Sequence, residues 1–333
     1  MEGNVARLLA NFAKSGAVAL SLAVGSVAAQ AAYPERQITL VVPAAAGGQT
    51  DAIARIVAAH MAKTLGQPIV VENVAGAGGT IAAARVAHAA GDGYTIMMGH
   101  MGTHGAAPAL HRDLRYDPAK DFAPIGLAAI APMLIVTRSG FPADNLEAFV
   151  DYVRRNQDKV QEAHAGVGSQ SHTVCTLLQS IMGTSTGRVA YRGLAPVVND
   201  LVGGHVDFAC GDIGSFIGQL RASTIKALAI ASPERAEVIK DVPTTAEGGL
   251  PKLLASSWNA IFAPKILSQE VQAALKEALV KALDDDAIRK QLVNIGAVVP
   301  AHADRTPQAL QMLVDSEVIR WSSVLKAAGV AAN

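Results

Sequence analysis

Net charge is missing from this sequence: 28 lysines and arginines meet 28 aspartates and glutamates among 333 residues. With a pI near 7.1 and no basic stripe, the chain has no electrostatic footprint for nucleic acid. Aromatic residues are scarce at 4%, and charged residues make up only 17%. Two cysteines are too few for a disulfide scaffold or an iron–sulfur centre. No run reaches the roughly 20 apolar residues that cross a bilayer. What is plentiful is glycine, 30 residues of it, and alanine, in a chain half of whose residues are hydrophobic. That composition belongs to a globular protein, and the length suggests two domains. A binding site built from such a stock works with main-chain groups and small polar side chains.

The first thirty residues have their own grammar. Arg7 and Lys14 form a positive start, Ser15 to Ala29 is uncharged and apolar, and Ala29-Gln30-Ala31 is an A-x-A cleavage site. Residues 1–31 therefore read as a signal peptide removed after Ala31, leaving a soluble exported chain. Losing Arg7, Lys14 and Glu2 leaves 26 basic and 27 acidic residues, a net charge of −1.

The remaining sequence alternates strands with helices. Ile38 to Val42 is a short β-branched run ended by Pro43, and Ile53, Ile56, Val57, Met61 and Leu65 follow at helical spacing as far as Gly66. A second strand over Pro68 to Val74, a helix to about Ala90 and a strand at Tyr94 to Met98 complete a parallel α/β unit. Phe122 to Thr137 is one long apolar stretch with two prolines, read as a strand that leaves one domain and enters another. A second α/β unit follows, and Ser256 to Ala263 reads as the return crossing. Two helices, Ser268 to Leu283 and Thr306 to Ala328, close the chain. The expected organisation is a discontinuous first lobe, 32–130 plus 256–333, and a second lobe, 131–255, with a cleft between them.

Two glycine-rich strand-to-helix turns, one per lobe, carry the chemistry. Pro43 to Asp51 reads PAAAGGQTD and Gly166 to His172 reads GVGSQSH. Glycines let the backbone approach a ligand, and each helix start presents free N–H groups that favour an anion. The plain alternative is that both are tight turns, with Thr50 and Ser169 or Ser171 acting as caps. Facing each other across a cleft, the pair reads better as a grip on a small carboxylate. Arg192 and Asp212 are added as contacts from the second lobe, Asp212 toward an amino group if the ligand is an amino acid. For Arg192 a surface ion pair is the competing reading.

Other chemistries fail on detail. The third turn, Gly76 to Ile81, lacks the small sixth residue of a dinucleotide fingerprint, and no phosphate-binding GxxxxGK[ST] loop exists. There is no G-x-S-x-G elbow around Ser169 or Ser215. His100 and His104 are four apart, a spacing of metal ligands on a helix, with His111 nearby, but they fall in a glycine-rich stretch read as a polar loop, with no Glu beside them. No cofactor is expected. Cys175 and Cys210 are two buried thiols or one disulfide, and export favours the bridge.

Together these stretches resemble the Bug family, periplasmic substrate-binding proteins of tripartite tricarboxylate transporters. The resemblance rests on ITLVVPAAAGGQTDAIAR, IVVENVAGAGGTIAA, DGYTI, YDPAKDFAPI, HAGVGSQSH, YRGLAPVVNDLVGGHVDF, KALAIASPER, DVPTTAEGGLP, WNAIFAPK and RWSSVLKAAG, in order along nearly the whole mature chain. It implies a type II periplasmic-binding-protein-like α/β fold, two lobes joined by two crossing strands in Venus-flytrap fashion. It also implies a monomer that hands a carboxylate to membrane permease subunits without catalysis. The implied ligand residues are Gly47, Gly48, Gln49, Thr50 and Asp51, then Gly78, Gly79 and Thr80, then Gly168, Ser169, Gln170, Ser171 and His172. Two departures are Ala44, where an aromatic residue is common, and Gly211-Asp212, where Asp-Gln is frequent. The rival readings are a sensor that presents its ligand to a membrane receptor, and an exported enzyme using His100, His104 or His172 as base.

Overall fold

A computed structural model describes residues 33–327 and 329. The leader read over residues 1–31 lies outside the described residues, and the elements below all fall from Arg36 onward. Strand β1 (Ile38–Val42) is buried at four of its five positions, as a β-branched run covered on both faces should be. Helix α1 (Gln49–Leu65) turns Ile53, Val57 and Met61 to the core and ends at Gly66, whose φ of 71° is the left-handed conformation that closes a helix. Next come β2 (Ile69–Asn73), α2 (Thr80–Ala87) and β3 (Thr95–His100). Both β2 and β3 pair with β1 in parallel.

After β3 the chain departs from the expected polar loop. Gly102–Ala106 forms a wide helical turn that runs into the short α3 (Ala107–Leu110). Glycine is what permits it: a Cβ on Gly105 would lie 3.2 Å from Trp321, and one on Gly99 would lie 2.6 Å from the His104 ring. His100 and His104 are therefore held in regular structure, and His111 follows the short helix directly.

Strand β4 (Phe122–Arg138) spans 17 residues. It is followed by α4 (Leu146–Arg155), β5 (Gln161–His164), α5 (Gln170–Met182), β6 (Gly187–Ala190), α6 (Leu194–Gly203), β7 (Phe208–Asp212), α7 (Ile213–Arg221) and β8 (Ile225–Ile230). Strand β9 (Ser256–Pro264) then leads to α8 (Gln269–Asp284), α9 (Asp286–Asn294) and α10 (Pro307–Ala327). Phe122 to Pro132 of β4 pair with β9, whereas from Met133 onward β4 lies between β7 and β8. One strand thus belongs to two sheets, β2-β1-β3-β9-β4 and β8-β4-β7-β5-β6. Pro132 is the last residue of the first ladder. The sheets are mixed, because β9 runs antiparallel to β3 and β4, and β4 antiparallel to β7 and β8. Apolar patterning specifies a strand but not its direction, so this was not legible.

Cys175 on α5 and Cys210 on β7 form a disulfide inside the core of the second lobe. In the same lobe Glu162 of β5 is fully buried. One carboxylate oxygen accepts from Gln179 Nε2, the other has no partner, and Arg188 stands 3.7 Å away. Burial outweighs Arg188 and Gln179 and pushes the carboxyl up to about 7. The folded protein therefore keeps a proton that the unfolded chain gives up near pH 4.5. Glu162 contributes stability below that pH, and the contribution is lost as pH rises through about 7. Glu162→Gln should be more stable than wild type at pH 8 and should flatten the pH 5–8 stability profile in urea titrations. A profile as steep as wild type would contradict this.

Candidate functional site

Five helices begin at the wall of one cleft of about 780 Å³. From the first lobe α1 starts at Gly48 and α2 at Gly79. From the second, α5 starts at Ser169, α6 at Gly193 and α7 at Asp212. The first N–H groups of a helix have no intrahelical partner, so each start offers donors and a positive dipole end to whatever occupies the cleft. Two starts are closed by their own side chains: Ser169 Oγ accepts from His172 N at 3.2 Å, and Asp212 Oδ1 accepts from Ser215 N at 2.8 Å. The other three begin at glycine with no side-chain cap. Histidines aside, Arg192 and Asp212 are the only charged side chains of the wall. Burial raises the Asp212 carboxyl above its usual range, against the lowering hydrogen bond from Ser215. The cleft is close to neutral and is lined by helix starts from both lobes.

Of the residues expected from sequence, ten line this wall: Gly48, Gln49, Thr50, Gly78, Gly79, Ser169, Gln170, Ser171, Arg192 and Asp212. Unpartnered Ser171 Oγ and Gln170 Nε2 are among its buried polar atoms. Five expected residues stand outside it. Asp51 braces the first turn from behind, accepting from Gly47 N, Asn73 and Arg55 at 3.0–3.1 Å. Burial alone would raise its carboxyl, but these partners hold it below the usual value. Gly47 is thereby part of the brace. Thr80 donates to Ala77 O and faces a smaller neighbouring pocket of about 270 Å³. Gly168 N donates to His172 Nδ1, so this pair supports the second turn.

In that second turn Ser169, one of the two candidate caps, is the cap, and the helix starts at Gln170. Sequence reasoning missed the start at Gly193-Leu194-Ala195, together with Tyr191, Ser215 and His111 in the wall. A signal was there: Gly193 separates a strand from an apolar helix just as Gly48 does.

The histidines act as props. His100 Nδ1 accepts from Gly102 N and Thr103 N at 3.0 and 3.3 Å, and the ring also bonds the Pro43 main chain. Burial pushes it down to about 4. His172 packs against His164 and is pushed to about 3, by burial first and then by neighbouring His164, Arg188 and His111. His104 is fully buried and stacked on Phe262 with ring centroids 3.9 Å apart. Near neutral pH these three rings are uncharged. Among the described residues no three His, Cys, Asp or Glu side chains are placed to hold a metal ion.

The lobes touch around the cleft. A Cβ on Gly78 would lie 2.6 Å from Val167 O and 2.7 Å from the Gly168 carbonyl carbon, and one on Gly102 would lie 2.9 Å from Gly168 O. On another side Gln49 of α1 reaches Gly214 of α7.

Residues 53–330 match the family described as tripartite tricarboxylate transporter family receptor. A relative from Agrobacterium vitis, a UPF0065 protein of the TAR-I ttuE-ttuC' intergenic region, is 40% identical over 301 residues, 90% of this chain and 87% of its own. Among solved structures, MatC from Rhodopseudomonas palustris with bound malate is 45% identical with a TM-score of 0.85, covering 88% of this chain and 100% of that one. The periplasmic binding protein BugD is 38% identical at a TM-score of 0.86, covering 90% and 100%. An R. palustris protein with adipate is 32% identical at 0.86, again covering 90% and 100%.

Proposed function

The chain belongs to the tripartite tricarboxylate transporter receptor family, and we propose that it captures a small dicarboxylate between its lobes and delivers it to that transporter's membrane subunits. The observation that carries this reading is the convergence of five helix starts from both lobes on one nearly neutral cleft. Each charge-assisted hydrogen bond contributes roughly 1.5–3 kcal/mol, and each dipole about 0.3–1. A few such bonds at each end of a dicarboxylate reach the about −8 kcal/mol of micromolar binding without an arginine clamp. The malate and adipate held by two similar proteins set the expected range of length.

In this reading Gly48, Gln49 and Thr50 with Gly78 and Gly79 hold one carboxylate through main-chain amides. Ser171, Gln170 and the Gly193 start hold the other, with Arg192 at the rim and Asp212 against a hydroxyl or amino substituent. The lobes divide as 32–130 plus 256–333 and 131–255, with the hinge where β4 changes sheets. The protein works in the periplasm after removal of residues 1–31, and it releases its ligand chemically unchanged. His100 has its acceptor nitrogen committed to backbone amides, which fits a structural prop better than a base.

A thermal-shift screen of the exported protein, expected to begin at Ala32, tests the reading. The panel comprises mono-, di- and tricarboxylates, amino acids and nicotinate. Malate or adipate at a hundred times its dissociation constant should stabilise the fold by about 2.7 kcal/mol. Stabilisation by none of the carboxylates, or turnover of one of them, would overturn it.

A further inference from the structure

Gln49 lines the cleft, yet both ends of its side-chain amide are engaged elsewhere. Nε2 donates to Ile295 O at 3.1 Å, and Oε1 accepts from Gly214 N at 3.3 Å. Gly214 lies in the first turn of α7, whose N-cap is Asp212 in the opposite wall. Ile295 directly follows α9 and is three residues from Val298, which bridges Ile130 of β4 through two hydrogen bonds of 2.9 and 2.7 Å. That bridge sits beside the point where β4 passes from one sheet to the other. One buried amide, 4% exposed, thus ties α1, the segment beside the hinge strand, and the second lobe.

The surrounding backbone leaves room for nothing larger. A Cβ on Gly214 would lie 2.9 Å from Ile295 O and 3.1 Å from Gln49 Cδ, and one on Gly296, at φ +73°, would lie 2.4 Å from Ile213 Cγ2.

We propose that Gln49 is the closure latch of the cleft, a positioning residue whose side chain holds the lobes together and sets how long the ligand stays, without touching it. The chemistry of the site demands an amide. One end must donate to a carbonyl and the other must accept from an N–H; leucine can do neither, and an ionised glutamate can only accept. When the lobes part, Gly214 N passes to water while the bond to Ile295 O, within the first lobe, can persist, so it is the Gly214 bond that acts on the closed state in particular. The inference rests on the proposed function for its ligand but not for its geometry.

Three measurements on Gln49→Leu and Gln49→Glu test it. In hydrogen exchange, the Gly214 amide and its neighbours in α7 should exchange about tenfold faster than in wild type, with or without ligand. In small-angle scattering, the ligand-free variants should be more extended. With malate or adipate as probe, dissociation should be about tenfold faster with little change in association, equivalent to about 1.4 kcal/mol. The melting temperature of the ligand-free variants should stay near wild type, which separates a latch from a residue needed for folding. Gly214→Ala, which pushes α7 off Ile295 with Gln49 intact, should behave alike. Wild-type exchange at Gly214 and wild-type scattering in Gln49→Leu would overturn the latch. If wild type binds neither acid, the proposed function falls, and the latch stands or falls on exchange and scattering alone.

Discussion

Gly78→Val should abolish ligand capture while leaving both sheets folded. Gly78 has a φ of +64°, and its α-carbon faces the backbone of the other lobe across the cleft. The three atoms nearest to such a Cβ, Val167 O at 2.6 Å and Gly168 C and Cα at 2.7 and 2.9 Å, are main chain and cannot rotate away. The clash is relieved by keeping the lobes apart, which withdraws one set of helix starts from the ligand. Losing even two charge-assisted hydrogen bonds of roughly 1.5–3 kcal/mol each weakens malate or adipate binding by about a hundredfold or more. Gly48→Val makes the complementary test. Gly48 has an extended backbone, φ −82° and ψ 171°, and a Cβ there meets only Ala45 O at 3.8 Å. This variant should fold and close normally but intrude at the α1 start. Titrations with either acid that match wild type for both variants would contradict a grip built on backbone amides.

Removing the disulfide should have the largest effect on stability. Cys175 and Cys210 are 35 residues apart and both fully buried, one on α5 and the other on β7. In the chain-entropy account a loop of that length is worth roughly 4 kcal/mol. The double variant Cys175→Ala/Cys210→Ala should therefore shift the denaturant midpoint well below wild type, and reduction of wild type should do the same. Because the bridge fixes α5 relative to β7, it also sets the Ser169 start relative to Asp212, so weaker binding should accompany the lower stability. Coincident unfolding curves would refute the assignment of a stabilising bridge.

Much of this was legible in the sequence because local physics decides it. Ile38 to Val42 reads as a buried strand and is one. The proline-bearing stretch at Phe122 reads as a crossing, and β4 does belong to two sheets, whereas the strand at Ser256, also read as a crossing, pairs only with β3 and β4 in the first sheet. Helix α9 was missed because the run Asp284-Asp285-Asp286 looks like a break, whereas Asp285 caps the next helix through Ala287 N and Ile288 N. The Gly193 start was missed although its glycine sits between strand and helix as Gly48 does, because no second glycine or polar cap marks the turn.

The roles of Gln49, Gly78 and Gly168 lie further out of reach. Gln49 sits in a binding turn by pattern, but its partners are 165 and 246 residues away. Gly78 and Gly168 look like ligand cradles, yet each also lies where one lobe meets the other. Contacts between lobes leave no periodicity to read.

The most direct measurement is a calorimetric titration of the protein from Ala32 onward with malate and with adipate at neutral pH, repeated at several salt concentrations. A cleft of helix starts with no net charge to steer its ligand should bind at least one of them with one-to-one stoichiometry, micromolar or tighter, and with little dependence on salt. No binding of either acid, or an affinity that collapses as salt rises, would contradict capture by oriented backbone amides.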